Sequence, residues 1–228
     1  MKKNKYIPFL LLLYTAIPFS THSFTTEEER WLNSDELDIT SSVNEGTLQF
    51  IQKPENKNIL HSINKLNITR ESIDNGWVKL HQCYRHLDKL DQVEITYKYR
   101  FMKNLTVVSK GNIKSAKIIG QNIELTSIKE NAELCVSADV RIFYQNEDLS
   151  FSLVNGPYHR RFLDGFYPYH VSLHIRYPES LLSFVSSIPK EQEGFSVLRK
   201  TNELVIDSYF EGILNTETIF NLNRLKNH

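Results

Sequence analysis

The eleven residues Ala132–Ile142, AELCVSADVRI, decide how this chain is read. Ala132, Leu134, Val136, Ala138, Val140 and Ile142 occupy alternate positions, and Glu133, Cys135, Ser137, Asp139 and Arg141 fill the places between them. A period of two sends one set to a core and the other to a polar face, the pattern of a half-buried β-strand; a helix would need a period near 3.6. The same alternation runs through Val93, Ile95, Tyr97, Tyr99 and Phe101, and through Val171, Leu173, Ile175 and Tyr177. Shorter candidates cover 47–52, 59–68, 77–86, 104–109, 112–119, 122–128, 148–154, 194–198, 203–210 and 212–222. Residues 180–188 fit a short helix or a strand equally well.

Asparagine and glycine punctuate these runs at Asn75-Gly76, Lys110-Gly111-Asn112, Gly120-Gln121-Asn122 and Lys129-Glu130-Asn131. Such residues tolerate the backbone conformations of tight turns, so short antiparallel connections are expected. Many short strands joined in this way predict an all-β fold, an antiparallel β-sandwich in one domain or in two abutting sandwich-like halves. The immunoglobulin arrangement is not met, because Trp77 precedes Cys83 and Glu133 stands two places before Cys135. A membrane barrel fits less well: the faces opposite the apolar ones do not alternate cleanly, and the last residues, Asn223–His228, are polar.

The amino-terminal stretch MKKNKYIPFLLLLYTAIPFSTHS sets Lys2, Lys3 and Lys5 before an apolar run and ends on small residues. That is the layout of a secretory signal peptide; the run is too short, and too broken by Pro8 and Pro18, for a membrane span of roughly 20 residues. The division expected is a signal peptide at 1–23, an acidic flexible lead-in at 24–46, a β-sandwich at 47–222 and a polar tail at 223–228. A periplasmic or secreted location follows, with no transmembrane anchor in the mature chain.

Removal of 23 residues from 228 leaves 205, enough for one sizeable core. The chain has 27 basic and 27 acidic residues, so losing the three lysines leaves a formal charge of −3. Nucleic-acid binding calls for a basic excess, and none exists. Cys83 and Cys135 both fall on the polar face of an expected strand. In an oxidising compartment an even number of cysteines favours pairing, so a Cys83–Cys135 disulfide is expected.

The chemically densest stretch is Asn155–His170, NGPYHRRFLDGFYPYH. Tyr158, His159, Arg160, Arg161, Asp164, Tyr167 and Tyr169 make it the candidate binding surface: arginines offer forked donors, and tyrosines offer faces for a sugar or a peptide. A structural role outweighs recognition in this reading. Phe162, Leu163 and Phe166 would plug one end of the sandwich, with Asp164 paired to Arg160, Arg161 or a backbone donor.

No metal and no cofactor are expected. His170 and His174 share a strand face but stand about 13 Å apart, too far for one ion. The chain has no G-x-S-x-G elbow, no HExxH and no phosphate-binding glycine loop. The function expected is therefore an exported, non-catalytic protein that binds a protein partner or a cell-envelope component. The alternative is a carbohydrate-binding module or glycoside hydrolase on the same scaffold.

Overall fold

The alternating run at 132–142 becomes the second half of one strand that starts at Asn122, and its apolar residues are buried as the pattern requires: Ala132, Leu134, Val136 and Val140 are fully enclosed. A computed structural model describes residues 44–55 and 59–223. The expected signal peptide, nearly all of the acidic lead-in and the last five residues lie outside the described residues.

Among the described residues fifteen strands follow in chain order: β1 (Gln49–Phe50), β2 (His61–Asn67), β3 (Trp77–Leu87), β4 (Gln92–Thr96), β5 (Met102–Ile119), β6 (Asn122–Arg141), β7 (Phe143–Gln145), β8 (Phe151–Tyr158), β9 (Arg161–Phe162), β10 (Gly165–Phe166), β11 (Tyr169–Arg176), β12 (Leu182–Ile188), β13 (Phe195–Lys200), β14 (Glu203–Glu211) and β15 (Leu214–Leu222). One short helix, α1 (Arg70–Asn75), joins β2 to β3. It starts at a Thr69–Ser72 capping box and ends at Gly76, whose φ of 76° and close approach to the Phe143 carbonyl leave no room for a Cβ. The ambiguous segment at 180–188 is strand β12.

Nine strands form one sheet in the order β1-β14-β11-β2-β3-β6-β4, with β13 also on β14 and β5 also on β6. Four strands form a second sheet in the order β12-β15-β8-β7. Pairing is antiparallel throughout except between β2 and β11, which run parallel. Leu80, Val140, Leu173 and Ile206 of the large sheet share one buried cluster with Phe143, Leu153, Leu182 and Phe220 of the small one. This is the sandwich: two sheets whose apolar faces exclude water from each other.

A second core lies along the long β5–β6 hairpin, where Ile113, Ile123, Leu125 and Ile128 pack with Ala132, Leu134 and Val136. The turn signals at 110–112 and 129–131 fall inside this hairpin and mark bends within strands instead of their ends. Asn112 and Asn131 have φ of 58° and 55°, and the register slips between Gly111 and Ile113. The Asn112 amide donates to the carbonyls of Glu130 and Asn131 at 3.0 and 3.3 Å, pinning the bend. At this step β6 sets four residues, 129–132, against the single Asn112 of β5, and such extra residues in one strand bend it and increase its local twist.

The polar face of the large sheet carries the disulfide. Cys83 of β3 stands directly opposite Cys135 of β6, and the two are bonded with Cα atoms 4.1 Å apart, as the shared parity of the two thiols predicts.

Candidate functional site

Strand β8 continues through the first part of the stretch singled out above, to Tyr158, and β11 takes over at Tyr169. Between them β9 and β10 pair as a small hairpin, Arg161 opposite Phe166 and Phe162 opposite Gly165. Leu163 and Asp164 are thereby placed at the hairpin tip. This corrects the expected plug: Leu163 is fully exposed, and Phe162 and Phe166 are only half-buried. The tip of a two-strand ribbon projects from the sheet, and it is the flanking strands that are buried.

The expected partner of Asp164 is corrected as well. It accepts a hydrogen bond from the Tyr167 hydroxyl. Arg160 instead reaches Asp88, just beyond β3, in a forked pair with Nε–Oδ2 at 3.0 Å and Nη2–Oδ1 at 2.6 Å. Its guanidinium also lies over the rings of Phe162 and Tyr167 at 5.2 and 5.5 Å. Arg161 points the other way, is exposed and sits over Phe166. Successive residues of an extended segment face opposite sides, so the two arginines have separate surroundings.

The fork fastens this segment over a pocket of about 220 Å³. Tyr84, Tyr97, Tyr99, Tyr158 and Tyr169 line it, and His159, Arg161, Lys98 and Glu94 contribute polar groups. Tyr84, Tyr97, Tyr158 and Tyr169 are buried. Tyr97 and Tyr99 lie just beyond the end of β4, where the alternating run leaves the sheet. Burial raises the pKa of all five phenols, so they remain protonated donors at neutral pH. The Tyr84 hydroxyl donates to that of Tyr97 at 3.3 Å, and Tyr99 donates to Asn155 Oδ1 at 2.7 Å.

Three polar atoms of the lining have no hydrogen-bond partner among the described residues: Gln82 Oε1, the Tyr158 hydroxyl and His159 Nδ1. Gln82 is 3% exposed, and its Nε2 is engaged by Ser62 Oγ at 2.8 Å. Burial, with Lys98 and Arg161 nearby, lowers the His159 pKa and keeps its ring neutral. A buried acceptor left unpaired costs roughly 1–3 kcal/mol, which a donor entering the pocket would recover. Both carboxylates of the lining are committed: Asp88 to Arg160, and Glu94 to the Asn122 side chain.

No protein-family model matches the chain, and no curated protein matches it. The site is therefore read from its own geometry.

Of the residues singled out from sequence, Tyr158, His159, Arg160, Arg161 and Tyr169 meet at the pocket, whereas Asp164 and Tyr167 pair with each other outside its lining. Three of the lining tyrosines, Tyr84, Tyr97 and Tyr99, lie far from that stretch in sequence, and only the fold gathers them.

The polar face of the large sheet holds a wider groove of about 580 Å³, lined in part by Lys79, His81, Asp139, His174, Arg176 and Glu203. Its charges mostly satisfy one another in open pairs, such as Lys79–Asp139 at 3.8 Å, and Glu203 with His174 at 3.4 Å and Arg176 at 3.9 Å. Separations of 3.4–3.9 Å, with one end of each pair open to solvent or only partly covered, make such pairs weak.

Farther along the same face, the rings of His61, His170 and Tyr209 stack, with centroids 3.6 Å apart for His61–His170 and 3.9 Å for His170–Tyr209. His170 Nε2 and Ser172 Oγ both hydrogen-bond Asp207 Oδ1, at 2.8 and 2.5 Å, and His61 Nε2 lies 2.8 Å from Ser172 Oγ. Burial first, then His170, Arg85 and His86, lowers the His61 pKa to about 4, against the pull of Asp207. Burial pushes Asp207 up, but the hydrogen bonds from His170 and Ser172 outweigh it and hold the carboxyl below its ordinary value. From sequence, His170 is set against His174 on the same strand face, about 13 Å away and too far to act with it. Its neighbour is instead His61, opposite it across the parallel β2–β11 junction.

Proposed function

We propose that this chain is an exported, non-catalytic binding protein that holds a protein partner or cell-envelope component through the tyrosine-lined pocket beneath Tyr158–Phe162. Gln82 Oε1 carries this reading: a buried acceptor, unpaired among the described residues, in a pocket to which five tyrosines contribute. A volume of about 220 Å³ is below the usual size of a drug-like site, so the occupant is one ring or one side chain projecting from a larger molecule. Tyrosines present apolar faces and hydroxyls together, which suits a polar ring. The engagement of Asp88 and Glu94 favours binding over glycoside hydrolysis, which needs one carboxyl group free as acid/base and a second free as base or nucleophile.

A periplasmic or secreted setting, reached by signal cleavage near Ser23, is part of the same proposal. The Cys83–Cys135 bond fits a compartment outside the cytoplasm. Among the described residues no helix is long and apolar enough to cross a membrane.

The test is capture from an extract of the native cell envelope by the mature chain. His159→Ala and Arg161→Glu should melt like the parent yet lose at least about tenfold in capture, equivalent to about 1.4 kcal/mol. Undiminished capture by both variants would remove the pocket from the binding surface. Competition by glycan fragments released from the same envelope would favour the carbohydrate-binding form of the proposal.

A further inference from the structure

Two histidines and an aspartate from three adjacent strands converge on the polar face of the large sheet. His170 stands opposite His61 across the β11–β2 junction, and Asp207 of β14 stands opposite Ser172, two residues along from His170. One ligand atom from each of His61, His170 and Asp207 lies within 4.8 Å of the others. The Ser172 hydroxyl marks the point of convergence: it is 2.8 Å from His61 Nε2, 3.4 Å from His170 Nε2 and 2.5 Å from Asp207 Oδ1.

We propose that His61, His170 and Asp207 form a site for one divalent transition-metal ion of the zinc type. Two imidazoles and a carboxylate are nitrogen and oxygen donors of intermediate softness, the set that zinc and its first-row neighbours prefer over calcium or magnesium. The ion takes the place that the Ser172 hydroxyl now marks, with that side chain turned to another rotamer. The two rings swing out of their stack until both Nε2 lone pairs point at one centre about 2 Å away. Each ring then carries its proton on Nδ1. The Asp207 side chain is 37% exposed, so a fourth coordination position is open to water or to a donor from outside.

A nucleophilic serine explains the cluster less well. The Ser172 hydroxyl donates its hydrogen bond to Asp207, and His61 Nε2 is left to donate to Ser172 Oγ, the reverse of a histidine acting as base. The other grouping on this face, His81 with Cys83 and Cys135, has both sulfurs committed to the disulfide.

Tag-free mature chain, stripped with a chelator, should bind one Zn²⁺ per molecule by titration calorimetry, and excess Zn²⁺ should raise its Tm by several degrees. His170→Gln and Asp207→Asn should each weaken binding at least about tenfold and lose the Tm shift, while His174→Gln, on the same strand face, should retain both. In the unaltered chain, imidazole ¹⁵N resonances of His61 and His170 should move on adding Zn²⁺ while those of His81 and His174 stay, a readout that does not depend on any variant folding. Absence of one-to-one binding by the parent, or equal shifts at all four histidines, would overturn the site. So would retention of binding by both ligand variants.

Discussion

Replacing Cys83 by serine lowers the stability of the folded chain by about 4 kcal/mol, and Cys135→Ser does the same. The bond closes a loop with a sequence separation of 52 residues, and releasing that constraint gives the unfolded chain about this much entropy. For a chain of this size the loss corresponds to a fall in Tm of about 10 °C. The parent melted with a strong reductant should match the variants. The pair joins neighbouring strands β3 and β6 in the middle of the large sheet, so the folded backbone is held by the ladder on either side and the effect falls on the unfolded state. Urea melts of the single variants within 1 kcal/mol of the oxidised parent would contradict this.

Phe220→Ala is the second large effect, a loss of about 3–5 kcal/mol. Phe220 is fully buried in the small sheet, with its ring 5.0 Å from Tyr177, 6.1 Å from Phe143 and 6.2 Å from Phe184. Its removal leaves a cavity between the sheets that neighbouring strands cannot collapse into without breaking their ladders. Phe162, half-buried on the projecting hairpin, provides the comparison: Phe162→Ala should cost about 1 kcal/mol, because solvent already reaches its ring. Equal urea-melt losses for the two variants would mean that the small sheet does not share the core of the large one.

The alternation at 132–142 was sufficient to read a strand with one buried face, because burial of the sheet enforces the same period that the sequence shows. Parity likewise placed Cys83 and Cys135 on one face, where antiparallel pairing brought them opposite each other. Part of what was not legible has one cause, long separation along the chain. Nothing near His61 signals that it will lie parallel to β11 beside His170, since a parallel neighbour is delivered by a long connection and not by a local turn. Tyr84, reached from β3, and Tyr97 and Tyr99, reached from the end of β4, meet Tyr158 and Tyr169 only through the tertiary fold. Glycine and asparagine at 110–112 were read as a break because left-handed backbone is commoner in turns than in bulges, and the local residues are the same for both. The stretch at 155–170 did point toward the pocket, but its most apolar residue, Leu163, proved to be at the hairpin tip. Hydrophobicity of one residue does not reveal which side of a two-residue ribbon faces the protein.

Hydrogen exchange of the mature chain, alone and with the material it captures from its own envelope, tests the binding proposal most directly. The account predicts slowed exchange on two segments that are distant in sequence and meet at the pocket, the backbone amides within 93–99 and within 158–162. The outer face of the small sheet should be unchanged. Protection confined to that outer face or to the charged groove, with both pocket segments exchanging as in the free chain, would contradict it.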